Sequence, residues 1–280
     1  MRTPPTSAAT ILTSAGSNAS ASATCFIATA ATFLLACSSD GPELGTFSPP
    51  PDAGTCSSER AARFYEVFFV LDVSTSMTRF LENGLAQQLE SLAFAFPDRD
   101  SQDRRVLIDY YVIGFANDFK WFPEGPARRM TSPIAVQAAI EQAVDAGRLG
   151  NNLTQNFANA ESPENLLDAL HAVTEIQPQG DVVVIIVATD AEISEAPTIL
   201  SSDIEVRSRY GDVREKLIDL DVQIHALTLT NLDGLTRMYK GQPPLTSGEG
   251  SRTYSLRALE ESQEALQAAL AEIAQTAVCN

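Results

Sequence analysis

Apolar positions along this chain come in two patterns, short unbroken runs and stripes that return every three or four residues. The run Val182-Val183-Val184-Ile185-Ile186-Val187 predicts a strand over 182–188 buried on both faces, as in the middle of a parallel sheet. Val67-Phe68-Phe69-Val70-Leu71 predicts another over 66–72, and further strands follow over 106–114, 119–122, 222–230 and 252–255. Helical stripes lie between them. Leu81, Leu85, Leu89, Leu92 and Phe96 place a helix over 79–96 that Pro97 ends. Pro133 opens a helix over 133–146, with Ile134, Val136, Ile140 and Val144 facing inward. Pro163 stands near the start of a third helix, over 162–176, which buries Leu166, Leu167, Leu170 and Val173, and helices over 213–218 and 256–278 complete the series. Strands separated by crossover helices specify a doubly wound α/β fold, a mostly parallel central sheet flanked by helices.

In such sheets ligands bind outside the carboxyl ends of the strands. At the end of the first strand stands Asp72-Val73-Ser74-Thr75-Ser76, and Asp190 follows Thr189 at the end of the 182–188 strand. One carboxylate and two hydroxyls leaving a buried strand together offer only oxygen donors. Such a set suits Mg2+, Mn2+ or Ca2+ and suits Zn2+ or Cu2+ poorly, because sulfur and imidazole ligands are missing.

The 280 residues carry a formal charge of −17 and an apolar fraction of 44%, so one large domain with tails is the economical reading. Arg2 is the only charged side chain before Cys37, so the remainder stands at −18. That acidity makes nucleic acid an unsuitable partner. Residues 3–24 are mostly Ser, Thr, Ala and Pro, and a short apolar run from Phe26 to Ala36 then ends in Leu34-Leu35-Ala36-Cys37. This resembles a bacterial lipoprotein signal, with 1–36 removed and Cys37 as the lipidated first residue. Cell-envelope location with a membrane lipid anchor is the expectation. Residues 37–55, with Pro49-Pro50-Pro51, read as a tether that holds the 56–280 domain on the order of 25 Å from the membrane. Cys56 and Cys279 bracket that domain. In an oxidising compartment they are expected to form a disulfide clamping its two ends, worth up to about 5 kcal/mol.

The D-x-S-x-S after strand one, a third loop before a helix, and Thr189-Asp190 after the central strand together resemble a von Willebrand factor type A domain and its metal-ion-dependent adhesion site. The resemblance covers about 66–278. The commonest family pattern supplies a Thr from the third loop, but the slot five residues before Ala169-Leu170 holds Glu164. Asn159-Ala160-Glu161-Ser162-Pro163-Glu164 is instead similar to the A-like domain of integrin β subunits, where N-x-D-x-P-E supplies a carboxylate ligand. The resemblance therefore implies a site of Asp72, Ser74, Ser76, Glu164 and Asp190, with Glu164 preferred to Thr154. It also implies a possible second, calcium-like ion at Asn159 and Glu161. The third integrin site is not implied, because Thr78, Arg79 and Phe80 stand where its acids would be.

The family's mechanism implies a protein ligand whose Asp or Glu completes the cation's shell. Loops 115–132, 145–160 and 231–250 are expected to rim this face, with Trp121, Phe122, Tyr239 and Lys240 as contacts or, for the aromatics, as core. The competing class is a Mg2+-dependent phosphoryl hydrolase similar to haloacid dehalogenases, with Asp72 as nucleophile. Such an enzyme would want a second Asp where Ser74 stands, and no phosphate-cradling glycine loop is present. His171 and His225 are the only imidazoles and fall inside a helix and a strand, where packing is the ordinary role. The expectation is a binding protein rather than an enzyme; a metal-free surface scaffold is the third reading.

Overall fold

Strand β1 (Phe64–Asp72) runs through the middle of the sheet and leads into α1 (Thr75–Phe80), a π-helical turn (Leu81–Leu85) and α2 (Ala86–Ala95). The hairpin of β2 (Leu107–Phe115) and β3 (Phe119–Phe122) follows, and then α3 (Pro133–Leu149), α4 (Leu166–Glu175) and β4 (Val182–Thr189). A small pair, β5 (Thr198–Ile199) and β6 (Glu205–Val206), precedes α5 (Tyr210–Asp219), β7 (Gln223–Thr228), β8 (Arg252–Ser255) and α6 (Gln263–Cys279). This computed structural model describes residues 64–279 apart from 97, 100–104, 125–127, 150–163, 201–203, 230–233, 236, 246–250 and 258–261.

Six strands form one sheet in the order β3-β2-β1-β4-β7-β8. Every neighbouring pair is parallel except the β2–β3 hairpin. The architecture is the doubly wound α/β fold that alternating strand and helix patterns specify. The side chains of β1 alternate between two cores. Val67, Phe69 and Leu71 face α2, α3 and α6. Phe68 and Val70 face α4 and α5. Each fully buried side chain of this size contributes about 1.5–3 kcal/mol, which is why strands covered on both faces read as continuous apolar runs.

The strand order reverses where β1 has β2 on one side and β4 on the other, and a crevice opens at the carboxyl ends of such a pair. Register brings Leu71 beside Ala188. The next residues along, Asp72 and Thr189, therefore emerge together at the mouth.

Several elements depart from the sequence expectation. The helix expected over 79–96 starts earlier, at Thr75, and is broken at Asn83 and Gly84, where Gly84 has a φ of 112°. Ile134, expected inward, is 69% exposed, because the buried stripe of α3 begins at Val136. Trp121 and Phe122 belong to the two cores and do not rim the crevice. Tyr239 packs on Tyr210 at 4.7 Å, and Lys240 pairs with Glu195. The strand expected over 222–230 is confined to Gln223–Thr228. Thr154, Asn159, Glu161, Cys37 and Cys56 lie outside the described residues, and Cys279 is described by its backbone alone, as the last residue of α6. Among the described residues no helix is long and apolar enough to cross a membrane.

Candidate metal centre

Asp72 ends β1 with its side chain fully buried. The backbone N–H of Ser74 donates to Asp72 Oδ1 at 2.9 Å, a local turn that short acidic side chains favour. Ser74 is the N-cap of α1 in an extended conformation, yet its hydroxyl makes no capping bond. The hydroxyl instead lies 3.0 Å from Ser76 Oγ, and Ser76 Oγ donates to Asp190 Oδ1 at 2.9 Å. Asp72, Ser74, Ser76 and Asp190 thus form one connected run from a buried carboxylate to a half-exposed one across the crevice mouth.

Thr189 completes the inner end. Its hydroxyl donates to Asp72 Oδ2 at 2.7 Å and accepts from the backbone N–H of Ala191 at 3.1 Å. The sequence pattern singled out Asp190 and passed over Thr189 as a site residue. The strand register found in the structure sets Thr189 one step beyond the Leu71–Ala188 pair and so brings its hydroxyl to Asp72.

Charge at the site is held against its own burial. Burial raises the Asp72 carboxyl to about 6 against the bonds from Ser74 and Thr189, and the nearby Asp190 charge raises it further. Asp190 is raised too, chiefly by burial, with the Ser76 bond and Arg79 opposing. Two carboxylates that share a low-dielectric mouth repel one another, and a divalent cation relieves both costs.

Glu164 reaches the same end of the sheet through its backbone. Its N–H donates to Glu192 O at 3.1 Å, and its carbonyl accepts from Ser194 N at 3.2 Å, tying it to the loop just after Asp190. The following N–H, of Asn165, donates to Ala116 O at 2.8 Å beside the end of β2. The Asn165 side chain holds that corner by donating to Asn117 O at 3.2 Å and Asp168 Oδ2 at 3.0 Å. The Glu164 side chain is buried. Among the described residues, however, no three His, Cys, Asp or Glu gather closely enough to hold an ion. The assembled set is therefore two carboxylates and two serine hydroxyls, with Glu164 on the adjoining loop rather than in a closed three-carboxylate cluster.

These residues fit a hard divalent cation. All of their donors are oxygen, and a carboxylate that accepts one bond per oxygen keeps spare lone pairs. Neither imidazole takes part in the hydrogen-bonded run from Asp72 to Asp190. His225 sits inside β7 beside Ile186 and Arg252, and His171 is on α4 with Lys216 and Glu175.

Neither a protein-family model nor a curated protein matches the chain. Among solved structures it is similar to proximal thread matrix protein 1 from the mussel byssus, in a form described as having a zinc-occupied MIDAS motif. The identity is 15%, the TM-score 0.45, and the match covers 75% of this chain and 46% of that one. It is also similar to the human COPII-coat protein Sec24c at 12% identity and a TM-score of 0.43, covering 72% of this chain and 30% of that one. The chain thus spans less than half the length of either. The case for a cation site rests on the chain's own geometry.

Proposed function

We propose that this domain binds a protein partner through a divalent cation, Mg2+ or a similar hard ion such as Mn2+ or Ca2+, in the manner of von Willebrand factor type A domains. The observation that carries the reading is the connected run from Asp72 through Ser74 and Ser76 to Asp190 at the switch point of the sheet. Asp72 and Asp190 supply charge, the two serines supply neutral oxygen, and Thr189 orients Asp72. Glu164, on the loop tied to residues 192–194, is the proposed further ligand in place of the commoner threonine. Bound there, a hard cation supplies an electrophilic position at the mouth that a partner's Asp or Glu carboxylate completes. Asn159 and Glu161 are proposed for a second, calcium-like ion.

The same reading places the domain on the cell envelope, tethered by a lipid on Cys37 and closed by a Cys56–Cys279 disulfide. No catalytic step is assigned to it. A pull-down from envelope extract with the purified protein, run with Mg2+ and again with chelator, tests the binding role. A partner retained only with Mg2+, and lost in the Asp190→Ala protein, is the expected result. Equal retention with chelator contradicts it.

A further inference from the structure

On the flank of the sheet a cavity of about 340 Å³ opens between β3, α4 and the segment leading into α5. It shares no residue with the run from Asp72 to Asp190. Its volume is at the lower end of the range that holds small molecules. The apolar wall is aromatic, made by Phe119 and by Trp121, which is 7% exposed and packed edge-on against Tyr111 at 6.2 Å. Over the Trp121 ring, at 5.2 Å from its centroid, lies the guanidinium of Arg128. Arg207 joins the lining from the segment before α5.

The acids of this cavity are already engaged. Asp168 accepts from the backbone N–H groups of Arg207 at 3.1 Å and Ser208 at 2.8 Å, and from the Asn165 amide at 3.0 Å. Glu175 accepts from Lys216 at 2.6 Å, and the His171 ring nitrogen lies 2.7 Å from the same ammonium. Among the described residues no carboxylate pairs with Arg128 or Arg207. In a chain of charge −17, two guanidiniums that form no ion pair with the cavity's engaged acids, one of them over an aromatic wall, favour an anion. Asp168 and Glu175 still carry negative charge nearby, so a monoanion suits the cavity better than a doubly charged phosphate.

We propose that this cavity binds a small carboxylate bearing a flat or apolar group, presented either as a free acid or as the C-terminal residue of a peptide. The apolar group lies against Trp121 and Phe119, and the carboxylate meets Arg128 and Arg207.

Trp121 is the only tryptophan of the chain, so its fluorescence reports directly on this cavity. The purified full chain is titrated with 3-phenylpropionate, with N-acetyl-glycyl-phenylalanine and with the amide of each, in the presence of chelator. Saturable binding of the acids is expected, with the amides weaker on the order of tenfold or more. Tighter binding of phenylpropionate assigns the free acid, and tighter binding of the acetylated dipeptide assigns a peptide C-terminus. Arg207→Gln and Arg128→Gln, checked for unchanged melting and read by calorimetry as well as fluorescence, are each expected to weaken the acids by about tenfold. Amides that bind as well as acids, variants that bind as well as the parent, or no saturable signal with either acid would overturn the assignment.

Discussion

Thr189 is the residue on which the character of the site turns most sharply, because its hydroxyl is a side-chain donor to Oδ2 of the fully buried Asp72. Thr189→Val keeps the shape and removes that bond. Stability without cation is expected to fall by about 1–3 kcal/mol as Asp72 is left short of a buried partner, and Mg2+ affinity to fall on the order of 10–100-fold. Urea unfolding and calorimetry check the two effects separately. His225 makes a prediction of its own. Burial, aided by Arg252, lowers the imidazole from 6.5 to about 4, and among the described residues neither ring nitrogen has a hydrogen-bond partner. The folded state therefore holds His225 neutral, while the unfolded chain takes up a proton below 6.5. Its effect is absent above pH 6.5 and becomes an increasing loss of stability as pH falls towards about 4, reaching about 3 kcal/mol. Asp72, raised to about 6, acts in the opposite sense, gaining stability as pH falls from about 6 to 3.8. The His225 effect is isolated by unfolding the parent and His225→Leu side by side from pH 7 to 4. The parent should lose ground against the variant across that range, and a constant gap would contradict the burial argument.

Elements show what hydrophobic patterning reads well and what it reads past. The runs at β1 and β4 were legible because burial on both faces leaves no polar position in them. Strands β2 and β3 were legible from their apolar positions, whereas their antiparallel pairing is known only from the structure. The break between α1 and α2 was not, since Leu81, Leu85 and Leu89 keep their spacing across it and all three remain buried. The adjacent Asn83-Gly84 was the turn signal that the periodicity overrode. Nor was the packing of Gly147 legible. It sits in α3 so close to the chain between Asp72 and Ser74 that an added Cβ would stand 2.3 Å from Val73 O and 2.8 Å from Val73 Cβ. Backbone must move to admit it. Gly147→Ala is accordingly expected to destabilise the domain by about 1–3 kcal/mol and, by displacing the Asp72–Ser74 turn, to diminish the rise in melting temperature that Mg2+ produces. Thermal melts with and without Mg2+ test both effects. An unchanged Mg2+ response would mean that α3 does not set the turn.

At the scale of the molecule, strand order decides where the chemistry sits. Placing β1 between β2 and β4 carries Asp72 and Asp190, which are 118 positions apart in sequence, to one mouth, and Ser76 joins them. The sequence named both acids and both serines because each closes or follows a strand that periodicity could place. It expected Glu164 as a third carboxylate from resemblance alone. The structure brings the Glu164 backbone to the loop after β4 without gathering three acids into one cluster. Side-chain convergence of that kind depends on loop paths between elements, which hydrophobic spacing does not encode. The most direct test of the central claim is a calorimetric titration of Mg2+ into the purified full chain and into its Asp72→Ala variant, with folding of both checked by melting. The parent should bind saturably, and the variant should bind at least about 100-fold more weakly, since a first charged ligand matters more than its supports. A folded Asp72→Ala protein that binds Mg2+ as tightly as the parent, or a parent that binds none of Mg2+, Mn2+ and Ca2+, would contradict the account.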